Sequence, residues 1–299
     1  MFNKHRPLQF ELFNKARRFF IDNFECLVQL EQYLSERVFN LLVENIDEIE
    51  SDYNEASYLY PFWQQYPPDE RGRKPRGDQY PWIEVGEHAI GDKLYRLLAR
   101  EFKIRDVGLP AGCDKRFVLQ GEKINELTKG FTSSAWLFID IKSVGPRDDF
   151  DHTVMSHNQV SGSGIWTEIG VGMKNAIIAA TGKRQRHKFH CSLSPLYILS
   201  NQVIAPAILI AVKPVYSMMS LQNLKGDGGQ PLSKISVVTI PNGLLLAEKP
   251  GYLKKYPGLF FPGKDDKKKN PFKVRSRISF PILRQIAAWR VRSFSVKQS

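Results

Sequence analysis

AWLFIDIKSV, Ala135 to Val144, is the stretch on which the fold turns. It opens as an apolar run and closes on charge. A β-strand sends successive side chains to opposite faces, so Asp140 and Lys142 share one face while Ile139 and Ile141 take the other. Opposite charges at the end of a strand otherwise suited to burial need either each other or a use. One reading is a simple ion pair between Asp140 and Lys142. The other is a site in which the acid holds a cation and the lysine steadies charge beside it. Acid–any–lysine is a weak pattern alone, and it occurs four times, beginning at Glu101, Asp140, Asp265 and Asp266. The instance at Asp140 lies in an apolar strand; the others lie in charged, solvated segments.

Around this strand, short β-type runs alternate with turn signals from Gly108 onward: RFVLQ, PLYILS, VIAPAILIAVKPVY, KISVVTI, GLLLAE and VRSRISF. The longest apolar run, Val203 to Val212, contains Pro206 and is too short to span a bilayer, so it reads as buried strand. Upstream, Leu8 to Ile49 reads as helix. Phe20, Phe24, Leu27 and Leu30, then Val38, Leu41 and Leu42, recur at helical spacing. Pro61 to Pro81 is rich in Pro, Gly and Arg and reads as a loop; Trp82 to Phe102 follows as a second helical stretch carrying Glu84 and Glu87. The expectation is an α/β protein, a helical layer on a mixed β-sheet. No internal repeat or domain boundary stands out, so residues 1–299 are expected to form a single domain with a helical N-terminal part.

The charge balance points to the partner. Forty-three Lys and Arg face 31 Asp and Glu, a formal net charge of +12. Such a surface attracts polyanions, nucleic acid first, with an anionic membrane as the rival. The start, MFNKHRPLQF, lacks an apolar signal core, and Cys26, Cys113 and Cys191 form no CxxC pair. A cytoplasmic protein with no membrane partner and no disulfide framework is expected. DHTVMSHN, with His152, His157 and Asn158, lacks the spacing of a ββα-metal nuclease. HKFHC lacks an evident fourth zinc ligand, and no Walker motif occurs.

A cation site at Asp140 needs further acids. Asp114 follows the turn GLPAGC and precedes RFVLQ, and Glu87 sits on the preceding helix. Glu87, Asp114, Asp140 and Lys142 together compose a hard-oxygen site of the kind that binds Mg²⁺, polarises a phosphate and activates water. The plainer alternative keeps the ion pair and makes Asp114 a turn residue.

An upstream acid followed by acid–any–Lys at a strand end resembles the signature of the PD-(D/E)xK nuclease superfamily. The likeness extends to its type II restriction endonucleases through DYNEA, PFW, YPP, GDQ, PWIEVGE, GLP, FIDIKSVGPRD, NQVSGSG, PLYILS, PNGL and PGKDD. These occur in order from Asp52 to Asp266, and the likeness is thinner in the first 50 and last 20 residues. It implies a restriction-endonuclease-like mixed β-sheet flanked by helices, working as a homodimer on double-stranded DNA. It also implies Mg²⁺, two ions per active site, with Asp114, Asp140 and Ile141 as metal ligands, Lys142 as the catalytic lysine and Glu87 in support. In one departure, Cys113 stands where the family has proline, which puts the shape of the Asp114 turn in doubt.

Guanine is read by bidentate Arg or Lys, and cytosine by Asp or Glu accepting from N4. Lys264, Asp265 and Asp266 lie in one loop, and Arg275 and Arg277 are two apart on a strand. The resemblance marks these residues and Asp148 as DNA-binding, reading GCC half-sites in GCCNNNNNGGC. It further implies cleavage to 5′-phosphate and 3′-hydroxyl ends and a cognate DNA methyltransferase protecting the host. A solvated charged surface is the plainer reading of the 264–266 loop. RGRKPRG (Arg71 to Gly77) and KRQRHK (Lys183 to Lys188) suit phosphate contacts, which give affinity and not sequence choice. Two alternatives remain at this point: a non-catalytic DNA-binding protein on the same fold, or a nuclease of the same family with another address.

Overall fold

The apolar run that begins near Val203 becomes the middle of the molecule. In the computed structural model, residues 6–65, 82–110, 112–168, 172–174, 177–182, 185–191, 193–199, 202–216, 232–248, 251–263 and 275–296 are described. The N-terminal stretch forms three helices, α1 (Arg6–Asp22), α2 (Phe24–Glu44) and α3 (Ile46–Gln65). Asn23 and Asn45 mark the breaks. Their side-chain amides donate back to the carbonyls of Phe19 (2.9 Å) and Leu41 (2.8 Å), competing with the helical ladder. Helix α3 runs through Pro61 to Gln65, so these residues are helix where a loop was expected, and residues 66–81 lie outside the described residues. A proline removes one N–H from the ladder, which a helix can survive. The second helical stretch is α4 (Trp82–Ala89) and α5 (Gly91–Leu98), parted by Ile90.

Then come β1 (Lys103–Asp106), β2 (Lys115–Gln120), α6 (Glu122–Leu127) and β3 (Ser134–Ile141). A small strand β4 (His152–Met155) and two hairpins follow, β5 (Ile165–Glu168) with β6 (Gly172–Lys174) and β7 (Ile177–Gly182) with β8 (Gln185–His190). The chain continues through β9 (Leu196–Ile198), β10 (Ile204–Tyr216), β11 (Leu232–Ile240), α7 (Gly243–Ala247) and α8 (Tyr252–Lys255). It closes with β12 (Phe260–Pro262), β13 (Ser276–Ser279), α9 (Phe280–Ile286) and β14 (Val291–Ser295).

The main sheet runs β1-β2-β3-β10-β11-β14, with β9 also on β10. Strand β3 pairs parallel with β10, and the other pairings are antiparallel, which makes the sheet mixed. Every residue of β10 is buried. A second sheet, β12-β13-β4, lies beyond one face.

The two faces of β3 obey the alternation expected of AWLFIDIKSV. Leu137, Ile139 and Ile141 pack with Leu30, Leu34 and Leu94 of the helical layer. Trp136 and Phe138 pack with Met155, Phe260 and Ile278 of the second sheet. Helix α1 adds a third cluster, in which Phe13 and Phe20 meet Leu196, Leu244 and Leu245.

GLLLAE departs from expectation: it is helix α7, not strand. Asn242 caps it, its side chain accepting from the amide of Leu244 while its Nδ2 donates to the carbonyls of Pro195 and Ala207. An N-cap asparagine outweighs the apolar run behind it. Behind α7, Glu31 and Arg290 form a fully buried ion pair at 2.7 Å, and the Asn242 amide donates to the same carboxylate at 2.6 Å. Among the described residues, no helix is long and apolar enough to cross a membrane.

Candidate active site

Antiparallel pairing of β2 with β3 sets Lys115 opposite Ile139, so the residue before β2, Asp114, arrives beside Asp140. Asp114 Oδ2 accepts from the Ile141 amide at 2.6 Å, which fixes its carboxylate against the end of β3. Helix α4 reaches the same corner because residue 86 is glycine. A Cβ there would stand 2.2 Å from Ser143 Oγ and 2.7 Å from the Tyr53 hydroxyl. That close approach brings the next residue, half-buried Glu87, near enough for its charge to act on Asp140.

Asp140 is 1% exposed. Its Oδ1 accepts from Gln159 Nε2 at 2.5 Å, and its Oδ2 lies 2.6 Å from Lys142 Nζ. The ion pair weighed against a site is therefore present, yet it does not satisfy the acid. Oδ2 is buried, and the ammonium approaches it outside hydrogen-bonding geometry. Burial raises the Asp140 carboxyl to about 7, Asp114 and Glu87 push the same way, and Lys142 pulls against them without prevailing. A pair retained for stability would hold its acid ionised. Here an under-compensated carboxylate oxygen sits beside a second carboxylate, an arrangement that invites a cation.

The donors suit a hard one. The carboxylates that could hold it are those of Asp114 and Asp140. Among the described residues no three His, Cys, Asp or Glu side chains form a metal-binding group. Two carboxylates suffice for Mg²⁺, which ordinarily keeps waters and shares substrate phosphates. Cys113 is buried, and burial pushes its thiol well above the ordinary value. Its backbone carbonyl accepts from Arg116 Nη1 at 3.1 Å, so the turn is held through its main chain.

The family model "Restriction endonuclease BglI" matches residues 8–294. The type II restriction enzyme BglI of Bacillus subtilis is 44% identical over 290 residues, covering 96% of each chain. The chain belongs to the BglI restriction endonuclease family. It is a type II site-specific deoxyribonuclease. The crystal structure of BglI bound to its DNA recognition sequence superposes with a TM-score of 0.89 at 43% identity over the whole of both chains. Tetrameric SfiI bound to cognate DNA shares the fold alone, with a TM-score of 0.58 at 14% identity over 91% of this chain and 85% of that one. Enzymes of this type generally use a divalent metal.

Residues expected to read bases in this BglI relative divide into two groups. Lys264, Asp265 and Asp266 lie outside the described residues, as does the cluster from Arg71; of the cluster from Lys183, residues 185–188 belong to β8 with side chains that are not described. Arg275, Arg277 and Asp148 are described. Exposure alternates along β13, with Ser276 and Ile278 buried and Arg277 and Ser279 half-buried, so the arginine at 277 faces outward from the second sheet. Asp148 is exposed in a 3-10 turn (Pro146–Asp148) just before β4, and Val154 of β4 pairs with Arg277. The segment after Lys142 thus runs directly from the acid–lysine pair to the strand of Arg277.

Two positioning groups carry no catalytic motif. Gln159 holds Asp140, and its signal is Ser156-His157-Asn158-Gln159, a capping box that the structure forms. Lys213, 2% exposed in the C-terminal part of β10, donates to the carbonyls of Phe150 (2.6 Å) and His152 (3.3 Å) and pairs with Asp149 at 3.3 Å. Lys234 also pairs with Asp149. A lysine directly after the apolar run Val203 to Val212 was the available signal.

Proposed function

We propose that this enzyme hydrolyses duplex DNA with Mg²⁺ at an interrupted GC-rich palindrome, GCCNNNNNGGC, leaving 5′-phosphate and 3′-hydroxyl ends. The observation that carries the chemistry is the convergence of Asp114, Asp140 and Lys142 at the end of β3. Asp114, Asp140 and the Ile141 carbonyl would hold the metal, two Mg²⁺ ions per active site. Bound there, Mg²⁺ polarises the scissile phosphate and makes water a stronger nucleophile. Lys142 orients that water and offsets negative charge growing on the phosphate oxygens as the P–O3′ bond breaks. Glu87 supports the site through its charge.

Lys264, Asp265, Asp266, Arg275, Arg277 and Asp148 read the bases, the cations on guanine and the acids on cytosine. The turn from Lys142 to β4 supports this division, because it ties the cutting end of β3 to the outward face of β13. The chain acts as one endonuclease domain and as a homodimer in the cytoplasm. Each subunit cuts one strand, and two-fold symmetry matches the palindrome. A cognate methyltransferase protects the host.

The test is a plasmid of known sequence incubated with the protein and Mg²⁺ or EDTA, with the ends mapped by sequencing. Discrete cuts within GCCNNNNNGGC in Mg²⁺ alone are expected. Cuts elsewhere would overturn the address, and cuts in EDTA would overturn the metal.

A further inference from the structure

Gln159 touches three segments of chain at the active site. Its amide nitrogen donates to Asp140 Oδ1 at 2.5 Å and to the Gly112 carbonyl at 2.9 Å. Its amide oxygen accepts from the Ser156 amide at 2.8 Å and lies 3.4 Å from Lys142 Nζ. Both donor hydrogens and the acceptor are thereby engaged, and the side chain has one orientation that satisfies them all. The side chain is itself anchored. It closes the capping box of the 3-10 turn His157–Gln159, and it is 8% exposed.

The Gly112 bond matters because Asp114 lies only two residues further along the chain. Gly112 has φ +141°, a conformation open to glycine, and a Cβ there would stand 2.0 Å from the Asn158 carbonyl oxygen. The turn that carries Asp114 therefore rests on the turn that carries Gln159. The Asp114 turn has Cys113 where a proline would fix the backbone from within. Its restraint comes from outside, through Gln159 on Gly112 and Arg116 on Cys113.

We propose that Gln159 is a positioning residue for cation binding, its one amide setting the spacing between the Asp140 carboxylate and the turn of Asp114. The inference rests on the metal-dependent reading of this site. With Oδ1 of Asp140 tied to the amide, Oδ2 is the oxygen turned toward Lys142 and an incoming cation. Without the amide, Oδ1 is buried with no donor and the carboxylate can rotate. The Asp114 turn loses a restraint at the same moment, so both acids lose their common aim.

Two variants separate the roles. Gln159→Glu keeps the length and the oxygen reached by Ser156 and Lys142 but removes the donor to Asp140 and Gly112. Gln159→Met keeps length alone and avoids a second carboxylate. Each is compared with wild type by thermal unfolding in EDTA, by Ca²⁺ titration of duplex binding followed by fluorescence anisotropy, and by single-turnover cleavage against Mg²⁺. The duplex carries the sequence that the wild type cuts. Folded variants are expected to bind it without cation as the wild type does. They should need about 10–100-fold more Ca²⁺ or Mg²⁺ for half effect, the usual cost of losing a group that orients a ligand. Unchanged cation midpoints in a folded variant would overturn the inference. So would cation-free binding and cleavage falling together, which marks a purely structural role. If Gln159→Glu does not fold, Gln159→Met decides. A wild type indifferent to Mg²⁺ would instead sink the metal-dependent reading itself.

Discussion

Asp140→Asn should make the metal-free protein more stable, and the gain should grow with pH. Asparagine keeps the shape, and its oxygen can still accept from Gln159. Its Nδ2 then faces the Lys142 ammonium, a penalty that does not vary with pH and that Lys142, 26% exposed, can relieve by swinging outward. In the wild type, burial first, and then Asp114 and Glu87, lift the carboxyl from 3.8 to about 7 against the pull of Lys142. The folded state therefore binds this proton more tightly than the unfolded state. Stability from this group is full below pH 4, falls as pH rises, and is lost once pH passes the folded value near 7. At about 1.36 kcal/mol per tenfold change in proton affinity, the whole loss is about 4 kcal/mol, of which about 3 falls between pH 5 and pH 8. The assay is urea unfolding of both proteins in EDTA at those two pH values. Groups common to both cancel in the difference. The variant should gain about 3 kcal/mol on the wild type between pH 5 and pH 8. Adding Ca²⁺ at pH 8 should restore the wild type and leave the variant unmoved. A difference that stays constant from pH 5 to pH 8 would refute the claim that Asp140 is an under-compensated buried acid.

Two further outcomes bear on recognition. Arg277→Ala should weaken binding to the cleaved sequence by about 1–3 kcal/mol, the worth of a bidentate base contact, and leave random DNA untouched; an equal loss on random DNA in a competition assay would assign Arg277 to phosphate. Lys213→Met should strip the Phe150 and His152 carbonyls of their donor, costing about 1–3 kcal/mol in urea unfolding. The Asp148 turn should then loosen and narrow the ratio of specific to random affinity, and an unchanged ratio would show that Lys234 alone holds Asp149.

Much of this architecture was legible because strands carry a period of two. In AWLFIDIKSV that period places Asp140 opposite the isoleucines, and the structure puts the isoleucines in one core and Trp136 and Phe138, which share the parity of Asp140, in the other. Asp114 was legible for a related reason, since an acid just before one strand meets the end of its antiparallel neighbour. Local signals failed where a single residue overrode a run. Asn242 turned three leucines into a capped helix, and Pro61 failed to stop α3. β4, β12 and β14 are only three to five residues long, too short for periodicity to stand out. Gln159 and Lys213 were hidden for another reason. Each acts through backbone carbonyls or a carboxylate distant in sequence, so their partners appear only once the chain has folded.

The buried pair of Glu31 and Arg290 joins residues 259 positions apart. It therefore bears on when, during its synthesis, this chain becomes a nuclease. A ribosome releases Arg290 only after adding 259 residues beyond Glu31. Until the arginine emerges, the cavity behind α7 would enclose a lone carboxylate, and breaking such a buried pair typically costs about 3–5 kcal/mol. Strand β14, which pairs with β11, comes later still. A nascent or truncated chain ending before residue 290 thus lacks both the counter-charge and strand β14. Such a copy is expected to lack about 3–5 kcal/mol of stability and so to reach the folded, cutting state less readily.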